Sequence, residues 1–417
     1  MNSASNAPQN KPPPQQQQQF KIKQRKREAV TKYEPEHFRD ALFALLPEDP
    51  EDIDSYCVVL ESNEAKLNLK LYAEPFLEIF IVGGLLAPGG VVSIKGQNPF
   101  SIFSAEESVE VIKSRVAILV KLARRLKYIP RKSEETLSHL LTYINKFGEN
   151  SRKLAIASAL LTTSGIISMS VLEQTLKDHL VSDGTTLEFV TVYLQTYVQE
   201  LGVDHLTLAL RKANLDWRLS EFFPTKSRTN TDFTNHFNTS GLEGLVEYHK
   251  KQQKLALKGQ VALRLTELFQ ENNASEVSIY LKEQVSEHKW QESEVCPILW
   301  DSMMNSVDWS SRVDQIEQNV IKLISLWGPT LDMFTSSAKS QLTLLLKVQA
   351  YVYENSRFLK HFRIIIQYLY KYDVLSESAI FYWFEKGAAP QGKNVLLKQM
   401  EPFVNWLREQ ESDEEDE

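Results

Sequence analysis

The sequence predicts an all-α protein built from antiparallel helix pairs stacked side by side. Glycine accounts for only 15 of 417 residues, and four of the 16 prolines fall within the first fourteen positions. Hydrophobic residues make up 42% of the chain, and they recur at helical spacing rather than in alternation. A sandwich, a barrel or a doubly wound sheet would need more turn-forming residues between its elements. The length suggests two or three domains, each with ample chain for a core.

Residues 1–32 open the chain with Pro12 to Pro14, five glutamines from Gln15 to Gln19, and the basic residues Lys21, Lys23, Arg25, Lys26 and Arg27. So little apolar surface cannot offset the entropy of ordering the backbone, which predicts a disordered arm. From Phe38 onward an apolar stripe returns through Leu42, Leu45 and Leu46, closed by Pro47 and Pro50. The apolar run Ile79 to Val82 meets Gly83 and Gly84, then Pro88, Gly89 and Gly90, a helix stop followed by a tight turn. Ser104/Glu107, Ser170/Glu173 and Ser311/Asp314 carry the spacing of capping boxes and predict three helix starts. The charge-free stretch Leu154 to Leu172 contains too many hydroxyl groups for a membrane span and reads as buried helices joined by a turn. Residues 224–241 are polar without an apolar stripe, which predicts a linker between a domain at 33–235 and a second at 240–410, with an acidic tail at 411–417. No fixed-period repeat is visible, so any helical stack is irregular.

Charge is distributed unevenly. Residues 1–32 hold seven Lys/Arg and one Glu, for +6, while residues 409–417 hold seven acids and no base, for −7. Taking both from the formal net charge of −7 leaves −6 on the 376 residues between them. Such ends suit electrostatic partners. Two cysteines, Cys57 and Cys296, make neither a disulfide framework nor a four-thiolate zinc site, as expected of a reducing, cytosolic compartment. No signal peptide is evident in the polar first nineteen residues.

Motifs for catalysis are missing. The Gly83 to Gly90 stretch lacks the Lys-Ser/Thr pair of a phosphate loop. The eight histidines are scattered, with no HExxH pattern and no GxSxG elbow in the chain. The basic cluster Lys21, Lys23, Arg25, Lys26 and Arg27 suits nucleic-acid or ribosome contact by phosphate neutralisation, and a solubilising tail explains it equally well. Prolines at 35, 47 and 50 interrupt any zipper that would follow it.

The last fifty residues are the most informative. Tyr370, Tyr372, Asp373, Glu377, Trp383, Phe384 and Glu385 interleave aromatics with acids, and Phe403, Trp406, Glu409, Glu411, Asp413, Glu414 and Glu415 repeat the theme. Helical spacing puts Ile380, Trp383 and Phe384 on one face, and Phe403, Trp406 and Leu407 on another. The expectation is that these aromatics pack the last helices together while the acids project toward a lysine-rich partner. An ordinary solvated face followed by an acidic tail is the alternative.

These two boxes resemble the W-two domain that closes eukaryotic translation initiation factor 5 and the epsilon subunit of initiation factor 2B. The stretch Tyr72 to Gly90 and the block Gln341 to Asn355 are similar to the eukaryotic initiation factor 5 mimic proteins, also called basic leucine zipper and W-two domain proteins. The resemblance covers nearly the whole chain from about Phe20. It implies two HEAT-like helical domains, no catalysis, no cofactor and no metal. It also implies binding to initiation factor 2, through the lysine-rich tail of its beta subunit, and to initiation factor 3. By competing with initiation factor 5 at the 40S preinitiation complex, such a protein restrains initiation at non-AUG codons. The aromatic and acidic residues of both boxes are then the partner-binding set. One departure stands out: relatives tend to carry paired acids where this chain has Glu377 followed by Ser378. A nucleic-acid binder using the arm, and a generic HEAT-type scaffold, are the competing readings.

Overall fold

The computed structural model describes residues 33–49, 52–93, 98–310 and 315–415, with side chains as far as Gln410. The basic arm, the Ser311/Asp314 capping pair and the side chains of Glu411, Asp413, Glu414 and Glu415 lie outside the described residues. The fold is helical, as expected, and its contacts divide the chain into two units between Thr229 and Asn230.

In the first unit, α1 (Pro35–Phe43), α2 (Ile53–Ser62) and α3 (Glu64–Leu67) precede α4 (Ala73–Val82). A two-stranded hairpin follows, β1 (Leu86–Ala87) against β2 (Val91–Val92), with Leu86 opposite Val92. Then come α5 (Val109–Arg125), α6 (Ile129–Leu141), α7 (Asn150–Thr163), α8 (Asp178–Ser182) and α9 (Thr185–Lys212). Helix α4 stops where Gly83 turns left-handed at φ 92°, a region costly for any residue with a Cβ. The hairpin is an addition to the all-helical expectation, and the two glycines after Pro88 supply its turn. Helix α2 packs on α5, α5 on α7 and α7 on α9, while α4 packs on α6.

The second unit is more regular. It contains α10 (Asn230–Thr239), α11 (Glu243–Gln270), α12 (Ala274–His288), α13 (Glu292–Asn305) and α14 (Ile316–Asp332). It closes with α15 (Ala338–Glu354), α16 (Phe362–Lys371), α17 (Glu377–Tyr382) and α18 (Lys393–Glu415). From α11 onward each helix packs against the next but one, so odd and even helices form two layers around a shared core. Stacked pairs of this kind bury a continuous apolar seam that no single pair could cover.

Several local expectations change. The Leu45 and Leu46 end of the first stripe lies beyond α1, which stops at Phe43. Ser104 caps no helix: its hydroxyl donates to the Pro99 and Ser101 carbonyls, and α5 begins only at Val109. Its presumed partner Glu107 instead pairs with Arg152 at 2.7 Å. Ser170 sits inside a short 3-10 turn whose cap is Ser168, and Glu173 pairs with Arg218. Among the described residues the capping boxes that form use Gln291 with Glu294 and Ser337 with Ser340. Within the stretch read as a linker, residues from Asn230 form α10, which buries Phe233 and Phe237.

Candidate acidic-aromatic docking site

The two aromatic boxes separate into an interior part and a surface part. Trp383 begins a π-helical turn, Trp383–Gly387, and is fully buried against Phe362, with ring centroids 5.3 Å apart. Its indole Nε1 donates to Gln349 Oε1 at 2.9 Å. The same buried Gln349 accepts from Ala389 N at 3.1 Å and donates to the Ala389 and Gln391 carbonyls at 2.8 Å each. One amide on α15 therefore satisfies four groups of the turn leading into α18, where an unpaired polar group would be expensive. Gln341, two turns earlier on α15, accepts from the Ser376 backbone N–H and hydroxyl, and Ser376 caps α17. Gln341 and Gln349 are thus what the block Gln341 to Asn355 contributes here: they fix both ends of the first box.

The surface part centres on α18. Trp406 is 46% exposed and stacks on Phe403 at 5.8 Å with planes 14° apart. Phe403 in turn meets the Tyr370 ring edge-on, and Tyr370 donates its hydroxyl to Glu377 Oε1 at 2.5 Å. Tyr370, Glu377, Phe403 and Trp406 thus form one continuous cluster at the surface of the layered core. The packing expectation holds for Phe403 and Leu407, which are buried, but not for Trp406. A helix face about 100° wide has an edge, and Trp406 lies on it.

The remaining candidates occupy different settings. Phe384 is partly buried against the core. Glu385 is exposed but pairs with Arg408 Nη2 at 3.1 Å, and the Arg408 guanidinium also lies over the Phe381 ring. Tyr372 packs over Gly328 of α14, with Lys371 Nζ 6.0 Å from its ring centroid. Asp373, exposed and left-handed at φ 59°, lies close enough to Asp332 to raise that carboxyl, after the larger effect of burial. Asp332, at the end of α14, was not among the sequence candidates, and nothing in its local sequence marks it. Glu409 is exposed one helical position past Arg408. The backbone of α18 remains helical to Glu415, so the acidic sequence from Glu409 onward continues directly from the helix that carries Trp406.

Exposed aromatic rings beside carboxylates suit cationic side chains, through charge and through the ring quadrupole. The cysteines are buried, and desolvation pushes the Cys296 thiol up to about 12, far from a thiolate at neutral pH. Among the described residues no helix is long and apolar enough to cross a membrane.

Two family profiles match the chain. A profile of the 5MP1/2 HEAT domain matches residues 22–259, and a W2 profile described as eIF4-gamma/eIF5/eIF2-epsilon matches residues 340–417. The chain is 34% identical to eIF5-mimic protein 1 of Mus musculus over 403 residues, covering 95% of this chain and 96% of the relative. It is 32% identical over 400 residues, with the same coverage, to eIF5-mimic protein 2 of Gallus gallus and of Homo sapiens. With both terminal domains matched and nearly the full length aligned, the chain belongs to the eIF5-mimic protein family and is related to translation initiation factors.

Proposed function

We propose that this chain is a cytoplasmic, non-catalytic regulator of translation initiation. It competes with initiation factor 5 for the lysine-rich tail of the initiation factor 2 beta subunit and for initiation factor 3 on the 40S preinitiation complex, and so restrains non-AUG start codons. The observation that carries this reading is the exposed Trp406, stacked on Phe403 and linked through Tyr370 to Glu377, at the head of a helix whose last residues are acidic. A flexible polycation gains long-range attraction from the acids and short-range contact from the rings. Two cysteines in separate units cannot build the four-cysteine zinc ribbon through which initiation factor 5 stimulates GTP hydrolysis. Occupancy without activation is therefore competition.

The test is pull-down of full-length protein by a lysine-block peptide across a salt series. Binding should weaken steadily as salt rises and vanish when Glu409, Glu411, Asp413, Glu414 and Glu415 are all reversed to Lys. Unchanged binding by that variant removes the proposed surface.

A further inference from the structure

Far along the chain from the docking helix, α4 and α6 bring together a group of side chains that partner capture does not use. Glu74 and Glu78 stand one turn apart on α4, so both carboxylates share a face. His139, on the last turn of α6, meets them there. One ligand atom from each of the three lies within 4.8 Å of the other two. Metal–ligand bonds of about 2.0–2.2 Å place ligand atoms roughly 3–4 Å apart, so modest side-chain rotation closes this triangle on an ion.

A second feature points to a missing cation. Glu78 is only 8% exposed, yet among the described residues neither it nor Glu74 takes part in an ion pair. Among the described residues the one hydrogen bond to the Glu78 carboxylate comes from Leu86 N–H to Oε2 at 3.1 Å, and no described donor reaches Oε1. Glu74 and Glu78, but not His139, line a cavity of about 410 Å³ together with Arg39, whose guanidinium is held by Asp40 at 2.7 Å. The His139 ring makes an edge contact with Tyr143 at 5.4 Å and no hydrogen bond through either nitrogen among the described residues.

We propose that Glu74, Glu78 and His139 form a binding site for a zinc-class divalent cation that staples α4 to α6. Three protein ligands including an imidazole suit zinc, with water in the fourth position, whereas calcium and magnesium demand six or more oxygens. Leu86 N–H is the outer partner that orients Glu78 toward the ion. The block Tyr72 to Gly90 thereby acquires a role independent of the C-terminal surface.

Full-length protein stripped with a chelator tests this by zinc titration against a colorimetric competitor near neutral pH, with thermal unfolding followed in parallel. Wild type should take up one more zinc per chain than His139→Gln, and Glu74→Gln should bind that zinc at least about tenfold more weakly. Zinc should raise the melting temperature of wild type and leave His139→Gln unmoved. Both substitutions alter exposed side chains, and far-UV circular dichroism verifies that the variants stay folded. A chain truncated after Arg408 should keep the site, which separates it from adventitious binding at the acidic tail. Equal zinc uptake and affinity in wild type and both variants, or no uptake by wild type, overturns the proposal.

Discussion

Replacing Gln349 by Leu tests how the first aromatic box is held. The substitution keeps a similar volume and removes an amide that serves four backbone and side-chain groups. The Trp383 indole is fully buried and cannot turn to water, so its orphaned N–H costs about 1–3 kcal/mol. The Ala389 N–H adds a comparable amount, while the Ala389 and Gln391 carbonyls lie in a partly exposed turn and recover most of their hydration. The sum is about 3–5 kcal/mol, or roughly 10 °C in the melting temperature of a domain this size. Six of the seven tryptophans, all but Trp217, belong to the second unit, so urea unfolding followed by tryptophan fluorescence reports on the unit that changes. A loss below about 1 kcal/mol would refute the reasoning, because the orphaned groups would then have found other partners at little cost.

Other perturbations separate surface from interior. Trp406→Ala should cost only about 1 kcal/mol of stability, the worth of an exposed stack, yet weaken lysine-block binding about thirtyfold, as loss of a hot-spot aromatic does; equal affinity by calorimetry would argue against a role for the ring. Gly328→Ala places a Cβ 2.7 Å from the Tyr372 Cβ, so it should destabilise the second unit by about 1–3 kcal/mol. A second change, Tyr372→Gly, removes the clashing Cβ and should relieve part of that loss, and strict additivity in a double-mutant cycle would contradict the proposed clash. Burial lowers the His249 imidazole below its usual value, so the unfolded chain binds the proton first as pH falls. Stability is complete above the unfolded value, near 6.5, and declines below it toward the depressed folded value; denaturation of His249→Phe from pH 7.5 to 5.5 should show a shallower slope than wild type.

How much of this was legible in the sequence depends on the range of the interaction. Helical content, the glycine stop at Gly83 and the aromatic-acidic boxes are written in neighbouring residues, and family resemblance extended them to the fold. The Ser104/Glu107 and Ser170/Glu173 capping boxes failed because a Ser-x-x-Glu spacing specifies a cap only if the next residues enter a helix. The turn around Ser104 uses its hydroxyl as a donor instead. Trp383 and Trp406 looked alike by periodicity, yet one is interior and the other half exposed. The difference arises from neighbours such as Phe362 and Gln349, which lie 21 and 34 positions away in the chain. The Glu74, Glu78 and His139 group escaped notice for the same reason, since α6 supplies its histidine.

The pairing of Arg408 with Glu385 gives the C-terminal surface a resident cation. A visiting ammonium group gains little at Glu385 unless it first evicts the guanidinium, an exchange of one contact for another that is close to neutral. An isolated lysine therefore finds few vacancies, whereas a run of them can abandon that position and still engage its neighbours. Selectivity for dense positive charge over a solitary one would then reside in an arginine the protein keeps for itself.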